Sequence, residues 1–181
     1  MTVVAHGDPV ETRLATQEII RQQGPCYLRL GNAEGPLVYE KEPNFKLGDA
    51  IKLKEGKDVT LISTGGMLKE TIETSKFLEK DGLSVGILSM HTLKPIDSHA
   101  ILELLNTKLV VTIEDHSNVG GLGSAVADIL AKTNSNYPQL LAINIGSTLP
   151  EKVGSQIWLR KKYGLDAQSI YQRVREKINS K

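Results

Sequence analysis

The acidic and imidazole side chains of Glu114, Asp115 and His116 have the clearest potential for chemistry in this sequence. They follow the apolar stretch Leu109–Ile113 and precede the glycine-rich segment Gly120–Gly123, an order that predicts a strand, a tight loop and a helix. In open α/β sheets, ligands bind at the carboxyl ends of the strands. The glycines fit neither G-x-G-x-x-G nor G-x-x-x-x-G-K-[ST], so we interpret the loop as a turn into a helix rather than as a phosphate site.

A second histidine occupies a comparable position, because His91 follows the apolar stretch Val85–Met90. We expect neighbouring strand ends to bring His91 and His116 together with Glu114 and Asp115. These residue types could support proton transfer. We nonetheless favour loop capping or hydrogen bonding at an interface, because no set of nucleophile, base and orienting group can be recognised.

Motifs for metal binding and nucleophilic catalysis are absent from the sequence. The four histidines form no H-x-x-x-H or H-E-x-x-H spacing, and no C-x-x-C occurs. Ser124 does not lie in a G-x-S-x-G elbow, which argues against a hydrolase nucleophile. We therefore predict no catalytic, cofactor-binding or metal-binding residue in this chain.

The composition excludes several classes of function. With 181 residues, 40% hydrophobic and 24% charged, the chain is typical of a globular protein with one sizeable core. A net charge of +1 and an aromatic content of 4% argue against a nucleic-acid partner. The apolar runs are too short to span a bilayer, so no membrane partner is expected. The single cysteine, Cys26, excludes an internal disulfide and favours a cytoplasmic location.

The elements that must position these residues alternate regularly along the chain. Short apolar strands separated by amphipathic helices predict an α/β fold with three layers, in which a mostly parallel sheet carries helices on both faces. Asp8, Pro9 and Glu11 predict a capped helix start with a capping box. The predicted strands are Thr2–Ala5, Cys26–Leu30, a short pair at Leu37–Glu40 and Ala50–Leu53, Val59–Ser63, Val85–Met90, Leu109–Glu114 and Leu140–Ile145. The later predicted helices are Met67–Lys80, Asp97–Asn106, Gly121–Lys132 and Ala167–Asn179.

The predicted elements divide the chain unevenly. Residues 1–31 supply only two strands and one helix, too little for a domain, and we interpret them as the remnant of a larger domain. Residues 32–49 are rich in glycine and proline with little periodicity, which predicts a linker. Residues 50–181 hold a complete α/β domain. The residues alone therefore favour an α/β domain that depends on a partner.

The motifs of this chain resemble those of the transketolase family, in the same order along nearly the whole length. The first two regions are similar to the end of the transketolase pyrimidine-binding domain, and the last three to its C-terminal domain. The five regions are Thr2–Thr12, Gly24–Gly31, Ser89–Asp97, Glu114–Ser124 and Leu159–Leu165.

The resemblance implies an enzyme that transfers two-carbon ketol units between sugar phosphates, with thiamin diphosphate and Mg²⁺ as cofactors and the pentose phosphate pathway as its setting. In that family a G-D-G…N motif holds the diphosphate and the metal, and a glutamate of the middle domain activates the aminopyrimidine. This chain has Gly7-Asp8-Pro9 and Gly48-Asp49-Ala50 but no Gly-Asp-Gly. We therefore expect no cofactor to bind this chain and no activity from it alone.

The partners implied by the resemblance are the N-terminal cofactor-binding portion of the same enzyme and a second copy in a homodimer. The C-terminal domain would support domain orientation and dimerisation. This chain would then be the end portion of a longer polypeptide, either cut or naturally separate.

One departure from the family concerns substrate recognition. Many relatives carry an arginine that clamps a substrate phosphate at the position of Asn32, and an amide lacks the charge-assisted fork of arginine. The residues we place near an interface or a substrate are Arg29, Asn32, His91, Glu114 and His116. Three alternatives stay open: the equivalent section of a deoxyxylulose-phosphate synthase, that of a 2-oxo acid dehydrogenase beta subunit, and a non-catalytic interaction module.

Overall fold

A computed structural model of the chain describes residues 1–31, 36–133, 137–147 and 151–180. Its strands are β1 (Thr2–Ala5), β2 (Cys26–Arg29), β3 (Ile51–Lys54), β4 (Val59–Ser63), β5 (Val85–Ser89), β6 (Thr92–Lys94), β7 (Leu109–Ile113) and β8 (Gln139–Ile143). Its helices are α1 (Pro9–Arg21), α2 (Leu68–Lys80), α3 (Ser98–Leu102), α4 (Leu122–Ala131), α5 (Gln156–Lys162) and α6 (Ala167–Asn179). Single 3₁₀ turns precede α2 and follow α3.

The main sheet has five strands in the order β3-β5-β4-β7-β8. Strands β5, β4, β7 and β8 are parallel to one another. Strand β3 lies at the edge of the sheet and is antiparallel to β5. The central strands β4, β5 and β7 are buried at every position, as expected for parallel strands covered on both faces. This architecture confirms the predicted three-layer α/β fold.

Each face of the main sheet carries its own pair of helices. On one face, Leu78 of α2 and Ile170 and Val174 of α6 are buried against β4 and β7. On the other face, Ile101 of α3 and Val126 of α4 are buried against the same strands and β5. The apolar periodicity of the sequence produces these two cores directly.

A second, smaller sheet joins the first 30 residues to the rest of the chain. Its order is β2-β1-β6, with β1 parallel to β2 and antiparallel to β6. Because β6 belongs to the turn after β5, the leading strand–helix–strand segment lies directly against the main domain. Within the described residues, the outer edge of β2 pairs with no other strand.

The sequence predicts most elements to within one or two residues, with four differences. Residues 37–40 form no strand, because the Val38 N–H donates to a carboxylate oxygen of Asp8 and the Tyr39 hydroxyl donates to Glu11. The neighbouring predicted strand exists as β3, but it pairs with β5. Strand β6 and helix α5 were not predicted. The reason for α5 is physical, since this helix buries none of its residues and so has no apolar stripe for a periodicity to detect.

Among the glycines that the structure describes, Gly56 lies closest to another stretch of backbone. A Cβ atom at Gly56 would lie 2.0 Å from the backbone nitrogen of Gly86 and 2.2 Å from the carbonyl carbon of Val85. Neither main-chain atom can move without disturbing β5. Only glycine fits at this position.

We therefore expect Gly56→Ala to lower the free energy of unfolding by about 2 kcal/mol. Urea denaturation followed by circular dichroism would measure the loss. Gly31→Ala is the matched control, because a Cβ there meets nothing within 4 Å. Equal stability of the two variants would contradict the close approach.

Candidate functional site

Glu114 lies at the end of β7 and binds the start of helix α4. Its two carboxylate oxygens accept hydrogen bonds from the N–H groups of Leu122 and Gly123, each at 2.8 Å. The side chain is 2% exposed. These amides have no acceptor within the helix, so a buried carboxylate satisfies them and complements the positive end of the helix dipole.

The glycines of the loop are explained by this carboxylate. A Cβ at Gly121 would lie 2.1 Å from an oxygen of Glu114, and one at Gly123 would lie 3.1 Å from the Thr112 hydroxyl. The loop is therefore a turn that brings the amino end of α4 onto Glu114, as predicted for a helix entry. The space that a phosphate site would need is filled by the protein's own carboxylate.

Asp115 connects three separate elements by ion pairs. One oxygen lies 2.8 Å from the Arg29 guanidinium at the end of β2, and the other lies 3.5 Å from the Arg160 guanidinium on α5. The Asp115 side chain is 19% exposed, so these pairs are screened less than pairs at the open surface. One carboxylate thus ties the leading segment and α5 to the carboxyl edge of the main sheet.

Arg160 is the fixed centre of this arrangement. Its guanidinium also donates to the carbonyl oxygen of Gly66 at 2.9 Å and lies 3.8 Å from Glu70. A Cβ at Gly66 would lie 2.8 Å from the guanidinium, so the turn before α2 makes room for this side chain. The arginine side chain is 12% exposed.

Glu11 forms the second polar link between the leading segment and the main domain. This carboxylate is fully buried and accepts from the Gly7 N–H at 2.5 Å, the Tyr39 hydroxyl at 2.6 Å and the Ser89 hydroxyl at 2.7 Å. The donors come from the leading segment, from the stretch that precedes β3 and from β5. Burial raises the pKa of Glu11, whereas its three hydrogen bonds oppose that rise.

The start of α1 follows the predicted cap with one difference. Asp8 caps the helix by accepting from the Glu11 N–H at 2.8 Å, and Pro9 is the first helical residue. The Glu11 carboxylate reaches the N–H of Gly7, one residue earlier than in a capping box. A Cβ at Gly7 would lie 2.7 Å from the Leu68 side chain, so α1 enters tightly against α2.

His91 is buried where the two sheets meet. The imidazole is fully buried and stacks on Phe45 with ring centroids 4.0 Å apart, and Nδ1 lies 2.9 Å from the Thr92 hydroxyl. Its backbone carbonyl accepts from the N–H of Ala5. Burial lowers the pKa of His91 to about 4, although Asp49 opposes the shift. The ring is therefore neutral near pH 7 and acts as a packing group.

The structure does not bring His91 and His116 together, so that expectation is wrong. Strand β4 lies between β5 and β7, and their carboxyl ends are therefore not adjacent. His116 is exposed, and its Nδ1 lies 3.3 Å from the Ser117 carbonyl oxygen. Arg29 and Glu114 lie at the places described above, and Asn32 lies outside the described residues.

Sequence reasoning missed the roles of Glu11, Tyr39 and Arg160. A signal existed for Glu11, since a carboxylate three residues after a helix cap commonly bonds backward. No signal existed for Tyr39, whose partner is 28 positions away. Arg160 stands in the basic run 160–162, which is typical of a solvated surface rather than of a buried ion pair.

The described residues do not fit a thiamin diphosphate and metal site. In the two Gly-Asp pairs of the chain, Asp8 is occupied by the backbone of α1 and by Val38, and Asp49 pairs with Lys46 at 2.8 Å. Among residues 1–31, 36–133, 137–147 and 151–180, no three His, Cys, Asp or Glu side chains are grouped to hold a metal ion. In the same residues, no helix is both long and apolar enough to cross a bilayer. The hydrogen bonds and ion pairs of Glu11, Glu114 and Asp115 can orient and hold protein segments.

Comparison with known proteins places these features in a family. Residues 48–170 match the sequence profile described as "Transketolase, C-terminal domain". A protein of Methanocaldococcus jannaschii named "Putative transketolase C-terminal section" is 36% identical over 180 residues, which are 98% of this chain and 56% of that protein. A Clostridium protein named as a 6-deoxy-6-sulfo-D-fructose transketolase subunit is 36% identical over 97% of this chain and 54% of its own length.

Solved structures agree with the sequence comparisons. A structure titled "Split gene transketolase, inactive beta4 tetramer" matches with a TM-score of 0.85 at 34% identity, over 97% of this chain and 56% of that chain. The Campylobacter jejuni transketolase shares the fold with a TM-score of 0.69 at 20% identity. The chain spans about half the length of the curated relatives it matches first.

Removing the Glu114 carboxylate tests its structural role. We expect Glu114→Ala to lower the free energy of unfolding by about 2–3 kcal/mol, because two buried N–H groups lose a charged acceptor. Chemical denaturation would measure this, with Glu55→Ala as a control whose side chain is 85% exposed. A loss below that of the control would contradict the assignment.

The buried imidazole predicts a pH dependence of stability. The pKa of His91 lies at about 4 in the fold against 6.5 as the ordinary value, so below pH 6.5 the unfolded chain binds a proton that the folded chain does not. We expect His91 to lower the free energy of unfolding by roughly 3 kcal/mol as the pH falls from 6.5 to 4. Denaturation of the wild type and of His91→Asn at both pH values would isolate this slope. Identical slopes in the two proteins would refute the prediction.

Proposed function

This chain belongs to the transketolase family, and we propose that it forms the C-terminal section of an enzyme that transfers two-carbon ketol units between sugar phosphates. The observation that carries the proposal is the unfinished sheet of the leading segment. This sheet has three strands, and β2 lies at its edge. The outer side of β2 pairs with no strand among the described residues. An open edge is a template for another strand.

The apolar side chains beside this edge support the same proposal. Ile20 on α1 is 78% exposed, Tyr27 on β2 is 53% exposed, and Leu30 directly after β2 is 62% exposed. Exposed apolar side chains next to an open strand are typical of a surface that another segment covers. We propose that residues 1–31 complete a pyrimidine-binding domain whose remainder lies on an N-terminal portion, with 32–49 as linker and 50–181 as the C-terminal domain.

The N-terminal portion would hold the cofactors. Thiamin diphosphate with Mg²⁺ supplies the ketol-transfer chemistry when bound, and the residues that the structure describes do not fit a site for it. The relatives named a C-terminal section and a split gene transketolase are consistent with a companion polypeptide. This chain would orient the companion through Glu11 and Asp115, the polar groups at the junction between the leading segment and the main domain. The complete enzyme would be a cytoplasmic homodimer of such pairs in the pentose phosphate pathway.

The site residues fit this supporting role. We propose that Arg29, Glu114 and His91 hold the leading segment and the loops in the geometry that the companion requires. His116 is exposed in the loop after β7 and is available for interface contacts. None of these groups would act on the substrate directly.

Reconstitution tests the proposed function. We expect the purified chain with thiamin diphosphate and Mg²⁺ to transfer no ketol unit, and the chain mixed with the N-terminal polypeptide of the same organism to do so. A coupled assay with ketose phosphate donors and aldose phosphate acceptors would measure this, and the donors should include 6-deoxy-6-sulfo-D-fructose because a Clostridium relative is named for that sugar. Activity of the chain alone, or none from the assembled pair with any donor, would contradict the proposal.

A further inference from the structure

Helix α5 and the turn before it present a surface of exposed apolar and basic side chains. Val153 is fully exposed, Ile157 is 82% exposed and Trp158 is 47% exposed. Lys161 and Lys162 are exposed on the same helix. We call these five residues the α5 patch. No residue of α5 is buried, so the helix packs against no apolar core of its own.

The α5 patch is held in place before any partner binds. Arg160 ties the helix to Asp115, Glu70 and the Gly66 carbonyl, as described above. The Trp158 indole lies against Gly154, where a Cβ would come within 2.6 Å of the ring. The ammonium group of Lys162 lies 5.2 Å from the centre of the same ring. A fixed indole beside a cation is typical of binding hot spots, because little side-chain freedom is lost on contact.

The charge of the surface selects the kind of partner. Besides the ion-paired Arg160, residues 151–162 carry three lysines, Lys152, Lys161 and Lys162, against one acid, Glu151. Lys152 and Lys161 form no ion pair with a described residue. In a twofold contact between two copies, the same basic patch would face itself, which like-charge repulsion disfavours. An acidic surface with apolar side chains would be complementary to the α5 patch.

The position of the patch identifies which polypeptide carries that surface. Arg160 of α5 and Arg29 at the end of β2 bind the two oxygens of one carboxylate, so α5 lies within side-chain reach of the open edge. A polypeptide that pairs with the carboxyl end of β2 would therefore lie close to α5. Resting on the function proposed above, we infer that the α5 patch is a second docking surface for the N-terminal cofactor-binding portion, which meets it with acidic and apolar side chains.

The chain offers a selective probe, because Trp158 is its one tryptophan. The chain is labelled with 5-fluorotryptophan and observed by ¹⁹F NMR while the unlabelled N-terminal polypeptide is added. We expect the Trp158 resonance to shift and to lose its solvent isotope effect as the complex forms. In parallel, Ile157→Asp and Lys161→Glu should each weaken the complex about tenfold, and the Lys161→Glu effect should shrink in high salt.

Matched control variants separate this surface from general effects of charge and polarity. Leu102→Asp changes an apolar side chain that is 41% exposed on α3, and Lys76→Glu changes an exposed lysine of α2, and neither should alter the dissociation constant. Complex formation with an unchanged Trp158 resonance would overturn the inference and leave the proposed function standing. A resonance that shifts with the concentration of this chain alone would also overturn it, in favour of a second copy. Failure of the unaltered chain to assemble would overturn the proposed function together with the inference.

Discussion

The leading segment, residues 1–31, cannot complete a sheet by itself. Two strands and one helix bury too little apolar surface to fold alone. The segment is stable because β1 pairs with β6, a strand of three residues at the turn after β5. That pairing satisfies one side of the small sheet and leaves β2 open on the other. The polar contacts between the leading segment and the main domain hold this incomplete sheet in place.

Polar groups rather than a large apolar core hold the junction. Glu11 accepts from three donors on three segments, and Asp115 pairs with the guanidinium groups of Arg29 on β2 and Arg160 on α5. Buried carboxylates of this kind contribute geometry, because each bond has a fixed direction and a mispaired arrangement would leave a buried charge without a partner. A segment that must present an open edge to another polypeptide benefits from such directional restraint. The neutral His91 stacks on Phe45 where the two sheets meet.

The sequence predicts the main domain well and the junction poorly, for physical reasons. Apolar periodicity and glycine turns fix β4, β5, β7 and the helices around them, since burial on both faces leaves a strong local signal. The junction is built from single long-range contacts such as Glu11 with Tyr39 and Arg160 with Asp115, which leave no periodic trace. The sequence also places His91 and His116 at strand ends, but only the strand order reveals that β4 separates them. Motif resemblance identifies the family, whereas the contacts of Arg160 and the exposure of α5 emerge only in three dimensions.

We propose that β2 is an open edge that pairs with a strand from the N-terminal portion of the enzyme. Hydrogen–deuterium exchange of the β2 amides, measured in the chain alone and after addition of the N-terminal polypeptide, tests this most directly. We expect rapid exchange in the chain alone at those amides of Cys26–Arg29 that point away from β1, and strong protection of the same amides in the assembled enzyme. Strand β8, the edge of the main sheet, should keep its exchange rates and serves as the internal reference. Exchange at these β2 amides that stays the same in the assembled, active enzyme would show that no strand pairs with β2.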